Sequence, residues 1–343
     1  MPSIPLSKAI SRYLVPWLQI DWPIDWRGIF GREAPLIVEA GFGNGAFLVE
    51  QAVANPDTNF VGLERSWGAA QRLFKRLHGD NLTNVRVLQG DAAFALRRVF
   101  GPESLTQVYV NFSDPWPKER HHGRRLVQPA FVKLLSERLL PDGHVTIATD
   151  HAEYAEWISE VLTAQSLLAS IYPTPEVDAL PGRNPTKYES KAISAGVPIH
   201  YFVWRRSAEA ASSLQEEKVE AMPNVVLEGA PDASGVLTDT AHQTWRMKDR
   251  EVSVVVKLED VYSDARGGKM VEMMVKEDEL NQHIGVLILP RPNDRLLVKL
   301  SPIGHPRPTF GVKQAVGKVA ELVAETTPDL RVVSTTVNAV DDD

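Results

Sequence analysis

The chain has 343 residues, 43% of them hydrophobic, and a formal net charge of -7. That length predicts two domains with real cores, and the acidic balance means that nucleic acid can be held only on a local basic patch. The absence of cysteine excludes disulfides, thiolate metal ligands and cysteine nucleophiles, and no run reaches the roughly 18 apolar residues that a membrane-spanning helix needs.

The opening Met1-Pro2-Ser3-Ile4-Pro5 has no basic region leading into an apolar run, so a cytoplasmic protein without a signal peptide is expected. From Pro35 onward, strand-like runs alternate with helical patterns. Strands are expected at 36–40, 59–64, 85–88, 107–112 and 144–149. Helices are expected at 46–54, 66–77 with Ser66 as N-cap, 91–100, 129–140 and 151–163, the fourth stopped by Pro141-Asp142-Gly143. This alternation predicts the α/β class: a Rossmann-like, mostly parallel sheet with helices on both faces. Residues 173–185 are irregular and proline-rich, and 199–204 reads as the last strand of a first domain covering 1–207. Residues 208–221, rich in Ala, Ser and Glu, read as a linker that is helical through 220. Residues 222–343 read as a small α+β domain with strands at 252–258, 270–275, 284–289 and 296–300, a hairpin loop at Pro292-Asn293-Asp294 and a helix at 312–325. There are no internal repeats, and Asp341-Asp342-Asp343 is expected to fray.

In open parallel sheets ligands bind beyond the carboxyl ends of the strands. The turn there after the first strand is Glu39-Ala40-Gly41-Phe42-Gly43-Asn44-Gly45. Glycines let a backbone take positive φ and approach a ligand closely. The pattern is G-x-G-x-G rather than the G-x-G-x-x-G of dinucleotide sites, and no lysine or arginine adjoins it to meet a phosphate. An adenosyl sulfonium carries a positive charge and no phosphate, so the acidic neighbour Glu39 suits it better. Glu64 ends the second strand and can accept both ribose hydroxyls, or it is a solvated strand-end carboxylate. Asp91, after the third strand, can accept from an adenine amino group, cap the next helix, or do both.

After the fourth strand the chain reads Asn111-Phe112-Ser113-Asp114-Pro115-Trp116-Pro117-Lys118-Glu119-Arg120-His121-His122-Gly123-Arg124-Arg125. Two prolines stiffen this loop, Asp114 sits at a strand's carboxyl end, and four cations cluster within a chain that is acidic overall. This is the local patch that RNA binding requires.

These residues resemble the bacterial tRNA (guanine-N7)-methyltransferases. The likeness rests on Asp114-Pro115-Trp116-Pro117-Lys118 with Arg120-His121 and Arg124-Arg125, on the glycine turn, on Gly62-Leu63-Glu64-Arg65, on Ala148-Thr149-Asp150 and on Thr186-Lys187-Tyr188-Glu189, in that family's order over roughly 25–206. Ser113 stands where many members have proline, and Gly123 replaces a frequently basic residue. The resemblance implies a methyltransferase fold and transfer of a methyl group from S-adenosylmethionine to guanosine N7 in tRNA, in the variable loop. It implies that Glu39, Gly41, Gly43, Gly45, Glu64, Asp91 and Asp114 contact the donor, with Asp114 also catalytic. It implies that Lys118, Asp150, Thr186, Lys187, Tyr188 and Glu189 hold the target guanosine. Arg120, His121, His122, Arg124 and Arg125 would meet the tRNA backbone.

Guanine N7 has a free in-plane lone pair, so no proton must leave before it attacks and no general base is required. Asp114 fits an electrostatic role near the developing cation, and Asp150 or Glu189 fits reading of the guanine N1–H and 2-amino group. Two other readings stay open: methylation of another RNA or a small molecule, and a non-catalytic RNA-binding protein. In the C-terminal domain His242, His283 and His305 are too dispersed for a metal site, and no metal is expected. Trp245 with Arg246, Lys248 and Arg250 reads as an edge strand ahead of an RNA contact. The domain's role stays open between tRNA binding, self-association into a homodimer and stability.

Overall fold

The structure, a computed structural model, describes residues 6–183, 185–207, 216–229, 237, 242–249, 252–278, 280–327 and 329–337, without the side chains of Lys187 and Asp249. Residues 1–5, the linker over 208–215, Arg250 and Asp341-Asp342-Asp343 therefore lie outside the described residues. Two compact units divide the chain: Met1–Trp17 with Asp21–Glu217, and Leu18–Ile20 with Lys218–Asp343.

The first unit carries a seven-stranded sheet. Its strands in chain order are β1 (Leu36–Ala40), β2 (Asn59–Glu64), β3 (Val85–Gln89), β4 (Leu105–Asn111), β5 (Leu139–Thr149), β6 (Leu168–Ser170) and β7 (His200–Arg206). They lie side by side as β3-β2-β1-β4-β5-β7-β6. β3 through β5 are parallel, and β7 runs antiparallel to β5 and β6. β1 and β2 are buried almost throughout, as apolar strands covered on both faces must be. The strand order reverses between β1 and β4, which opens the crevice at their carboxyl ends.

The helices are α1 (Leu6–Tyr13), α2 (Trp26–Phe30), α3 (Ala46–Ala54), α4 (Trp67–Gly79), α5 (Ala92–Val99), α6 (Pro129–Arg138), α7 (Ala152–Thr163) and α8 (Lys187–Ser194). Local chemistry sets several starts. Ser66 accepts from Ala69 N, Asp91 from Phe94 N and His151 from Tyr154 N. Two N-terminal elements carried no strong sequence period. α1 is held where the Tyr13 hydroxyl donates to the Leu77 and Leu82 carbonyls, 2.9 Å each. Farther on, Trp17 stacks on Trp22 and donates to the Gln89 carbonyl at 3.0 Å.

The first unit runs on to Glu217, beyond the expected end at 207. Glu217 and Trp22 exchange backbone hydrogen bonds, and Arg98 pairs with the Glu217 carboxylate at 2.5 Å.

The second unit is an antiparallel sheet carrying, among the described residues, one helix, α9 (Phe310–Thr326). Its strands are β8 (Asn224–Glu228), β9 (Thr244–Asp249), β10 (Val252–Ser263), β11 (Lys269–Glu277), β12 (Leu280–Arg291), β13 (Arg295–Leu300) and β14 (Arg331–Thr335), ordered β14-β8-β13-β12-β11-β10-β9. β9, which holds Trp245, Arg246 and Lys248, is an edge. Val254, Val256, Val271, Met273, Val275, Val286 and Ile288 alternate inward and meet Val312, Val316, Val319 and Val323 of α9. Each buried aliphatic of this kind contributes about 1.5–3 kcal/mol. α9 can approach closely because Gly311 has no side chain: a Cβ there would lie 2.7 Å from Val254 Cγ1.

Among the described residues, no helix is long and apolar enough to cross a membrane, and no three His, Asp or Glu side chains are grouped to hold a metal.

Candidate active site

The crevice is an open cleft of about 1070 Å³ over the carboxyl ends of β1, β2, β3, β4 and β5. Its floor is the glycine turn. Gly41, Gly43 and Gly45 all have positive φ, at 79°, 55° and 71°. Backbone hydrogen bonds from Gly41 N to the Leu63 carbonyl (2.9 Å) and from Gly45 N to the Phe42 carbonyl (2.8 Å) close the turn. A Cβ on Gly41 or Gly43 would meet nothing within 4 Å, whereas one on Gly45 would strike Leu73 Cδ1 at 2.6 Å. Gly45 thus serves packing as well as conformation.

Four carboxylates expected in the site, Glu39, Glu64, Asp91 and Asp114, line this one cleft, and so does Asp150. Glu64 braces the turn: its Oε2 accepts from Gly43 N at 3.0 Å and its Oε1 from Ser66 N at 2.9 Å. Asp91 caps α5 through Oδ1, 3.0 Å from Phe94 N, and lines the cleft. Gly90 before it must be small, since a Cβ would lie 2.8 Å from Trp17 Cζ2. Asp114 and Asp150 are exposed at the ends of β4 and β5.

Glu39 differs from the others. It is 2% exposed; Oε1 accepts from Asn111 Nδ2 at 2.9 Å, and the buried Oε2 has no hydrogen-bond partner. Burial pushes its carboxyl up to about 7, against the pull of the Asn111 hydrogen bond and the Arg183 charge. A buried acceptor without a donor costs about 1–3 kcal/mol.

Behind Glu39 lies a network that the sequence did not disclose. Asn111 Oδ1 accepts from Arg183 Nη2 at 2.7 Å, and Arg183 Nε donates to Glu189 Oε1 at 2.6 Å. The Tyr201 hydroxyl donates to the same Glu189 oxygen at 2.8 Å. The Arg183 guanidinium also faces the rings of Phe47 and Tyr201, 4.7 and 5.5 Å away.

This arrangement corrects the expected role of Glu189. Its side chain is fully buried and absent from the cleft's lining. Oε1 is shared by Arg183 and Tyr201, and Oε2 accepts from Thr186 N. With Thr186 Oγ1 accepting from Glu189 N at 3.1 Å, the two residues form a capping box that starts α8. Burial pushes the Glu189 carboxyl up, but the Arg183 and Thr186 hydrogen bonds hold it below the usual range. Glu189 therefore does not present an acceptor to a base. The Thr-x-x-Glu spacing at 186–189 is itself a sequence signal for such a box. Thr186 and Tyr188 do line the cleft; Tyr188 is 60% exposed and stacks on Phe112 at 6.2 Å. The Lys187 side chain lies outside the described residues.

The basic loop separates into two kinds of residue. Arg120 and Arg124 are exposed, and Arg124 lies over the Trp116 ring at 5.0 Å beside the cleft. Lys118 is exposed and outside the lining. His121 accepts from Arg120 Nε at 3.3 Å. Arg125 is a correction, because it is not a backbone-facing cation: its side chain is 1% exposed. Its Nε donates to the Pro115 carbonyl at 2.8 Å and its Nη2 to Glu153 at 2.7 Å, with the rings of Tyr154 and Trp157 against it. His122 is drawn into the same cluster, 2.9 Å from Arg125 Nη2 and 3.3 Å from Glu153. These contacts anchor the loop. Ser113 joins in, with its hydroxyl 3.2 Å from that of Tyr154.

A family described as "Putative methyltransferase" matches residues 33–202. A tRNA (guanine-N(7)-)-methyltransferase of Mycolicibacterium paratuberculosis is 41% identical over 184 residues, covering 54% of this chain and 71% of the relative. The chain belongs to the tRNA (guanine-N7)-methyltransferase family. Another member, from Mycobacterium ulcerans, is 44% identical over 54% of this chain and 67% of its own length. One from Halorhodospira halophila is 38% identical over 58% of this chain and 88% of its own. The family match ends at 202, ahead of Lys218, where the main segment of the second unit begins.

Proposed function

We propose that the chain transfers a methyl group from S-adenosylmethionine to N7 of a guanosine in tRNA. The observation that carries this is the convergence of Glu39, Glu64, Asp91 and Asp114 on one cleft, with Trp116 and Arg124 on its wall. The residues present fit the donor. The Glu39 carboxyl suits its ammonium end, the open positions Gly41 and Gly43 its backbone approach, Glu64 its ribose hydroxyls and Asp91 its adenine amino group. When bound, S-adenosylmethionine supplies an electrophilic methyl group on a cationic sulfur.

The protein's own task is orientation and charge. Guanine N7 attacks with its in-plane lone pair, so no residue has to remove a proton first. As positive charge moves onto the purine, the Asp114 carboxylate offsets it from the end of β4. Asp150, exposed on the neighbouring strand end, is the acceptor placed to read the guanine N1–H and 2-amino group. Tyr188 and Trp116 offer faces on which an unstacked base can lie. Arg120 and Arg124 supply phosphate contacts. A cytoplasmic location follows from tRNA as substrate.

Labelled methyl transfer to bulk tRNA, set against a metabolite extract, tests the reading. Label in tRNA supports it, and label confined to small molecules overturns it.

A further inference from the structure

We propose that Arg183 is a positioning residue that couples the donor side of the cleft to its acceptor side. The inference rests on the methyl-transfer reading above and adds a residue and a role to it.

Arg183 joins the two halves of a continuous, partly buried chain of hydrogen bonds. On one side its Nη2 holds Asn111 Oδ1 at 2.7 Å, and the same amide donates from Nδ2 to Glu39 at 2.9 Å. On the other side its Nε holds Glu189 at 2.6 Å, and Glu189 caps the first turn of α8. That turn bears Tyr188, exposed and stacked on Phe112 at the end of β4. Glu39 and Tyr188 line the same cleft but lie 149 residues apart in sequence, and Arg183 supplies the polar connection between them.

The chemistry gives this chain a direction. An Asn side chain held by Arg183 through its oxygen must turn its NH₂ group toward Glu39. That leaves Glu39, which lines the cleft, with one buried oxygen not engaged by Asn111. A cationic donor beside Glu39 favours its ionised form, which holds the Asn111 amide more firmly than the neutral acid does and so fixes the oxygen that Arg183 grips. The Arg183 fork then bears on the Glu189 cap that fixes the Tyr188 turn. Donor binding thus orders the acceptor wall, and by linkage the acceptor tightens the donor by the same factor. Lysine cannot replace this geometry, because one ammonium point charge cannot present the planar fork that spans two acceptors between two rings.

The test measures S-adenosylhomocysteine affinity by calorimetry, with and without a saturating tRNA transcript, in the full chain and in Arg183→Lys and Asn111→Ala. In the full chain, tRNA is expected to tighten S-adenosylhomocysteine by about fivefold or more. Both variants are expected to lose that ratio. Asn111→Ala leaves the Arg183–Glu189 pair intact, so it breaks the connection from the other end even if Arg183→Lys folds poorly. A merely structural arginine would lower the melting temperature and leave the ratio unchanged. An unchanged ratio in a folded Arg183→Lys or in Asn111→Ala overturns the proposal, as does a ratio of one in the full chain. Methyl transfer to tRNA by the full chain is scored in parallel. Its failure would reject the methyl-transfer reading, whereas transfer with an unchanged ratio rejects only the coupling.

Discussion

Glu39→Gln should separate charge from shape in the donor site. The native carboxyl is buried, has one oxygen without a partner, and is pushed by burial up to about 7. A cationic donor selects the ionised form, so protons compete with it below that value. For a group titrating near 7, donor affinity should fall about eightfold between pH 7.5 and pH 6, close to 1.2 kcal/mol. At pH 7.5, Glu39→Gln should weaken the donor by about 10- to 100-fold, the worth of a charged hydrogen bond. The variant's affinity should then stay flat from pH 7.5 to 6. Stability should move the other way. The raised folded-state value means that Glu39 stabilises the empty fold fully only below about 4.5, and loses that contribution as pH rises through about 7. Without donor, Glu39→Gln should therefore melt higher than the native chain at pH 8, and show no such gain at pH 4.5. Calorimetric titration with S-adenosylmethionine at three pH values, plus melting curves, reads both effects. A native affinity flat across pH 6–7.5, or a variant that keeps the native slope, would refute the reasoning.

Other substitutions divide the site by role. Asp114→Asn should cut turnover about 100-fold at saturating substrates while leaving donor affinity within a few fold; single-turnover rates and calorimetry check this. Arg124→Ala should weaken tRNA binding and lower the slope of log affinity against log salt by about 0.9, the share of one phosphate contact. Arg125→Met should leave that slope unchanged and instead destabilise the fold by about 2 kcal/mol, through the lost Pro115 and Glu153 hydrogen bonds, as chemical denaturation would show. Gly45→Ala should cost more stability than Gly41→Ala. Both force a side chain into positive φ, at about 1 kcal/mol, but only the former drives a Cβ into Leu73.

The strand ends and helix starts around the cleft were legible because local chemistry sets them. Glycines with positive φ, the Ser66 and Asp91 caps and the apolar strands all act within a few residues. Glu39, Glu64, Asp91, Asp114 and Asp150 meet in one cleft because each follows or ends a strand of the same sheet. Arg125 was misread because a run of cations looks solvated in sequence. Only the Tyr154 and Trp157 rings of α7, some thirty residues later, make its pocket. Asn111 and Arg183 were missed because they lie 72 residues apart and follow no helical or strand period. Glu189 could have been read more closely, since a Thr followed three residues later by Glu is a capping signal. In the second unit, the four expected strands and the helix gave the α+β class. β9 was read as an edge strand from Trp245, Arg246 and Lys248, whereas the short strands β8 and β14 are set by pairing with strands distant in sequence.

The central claim is chemical: the acceptor atom is guanine N7. A tRNA transcript methylated by the purified chain with labelled S-adenosylmethionine, digested to nucleosides and resolved by mass spectrometry, tests it most directly. A parallel transcript made with 7-deazaguanosine serves as the control. The account predicts label in 7-methylguanosine and none in the deaza transcript, whose acceptor nitrogen is gone. Label in any other nucleoside, or undiminished labelling of the deaza transcript, would contradict it.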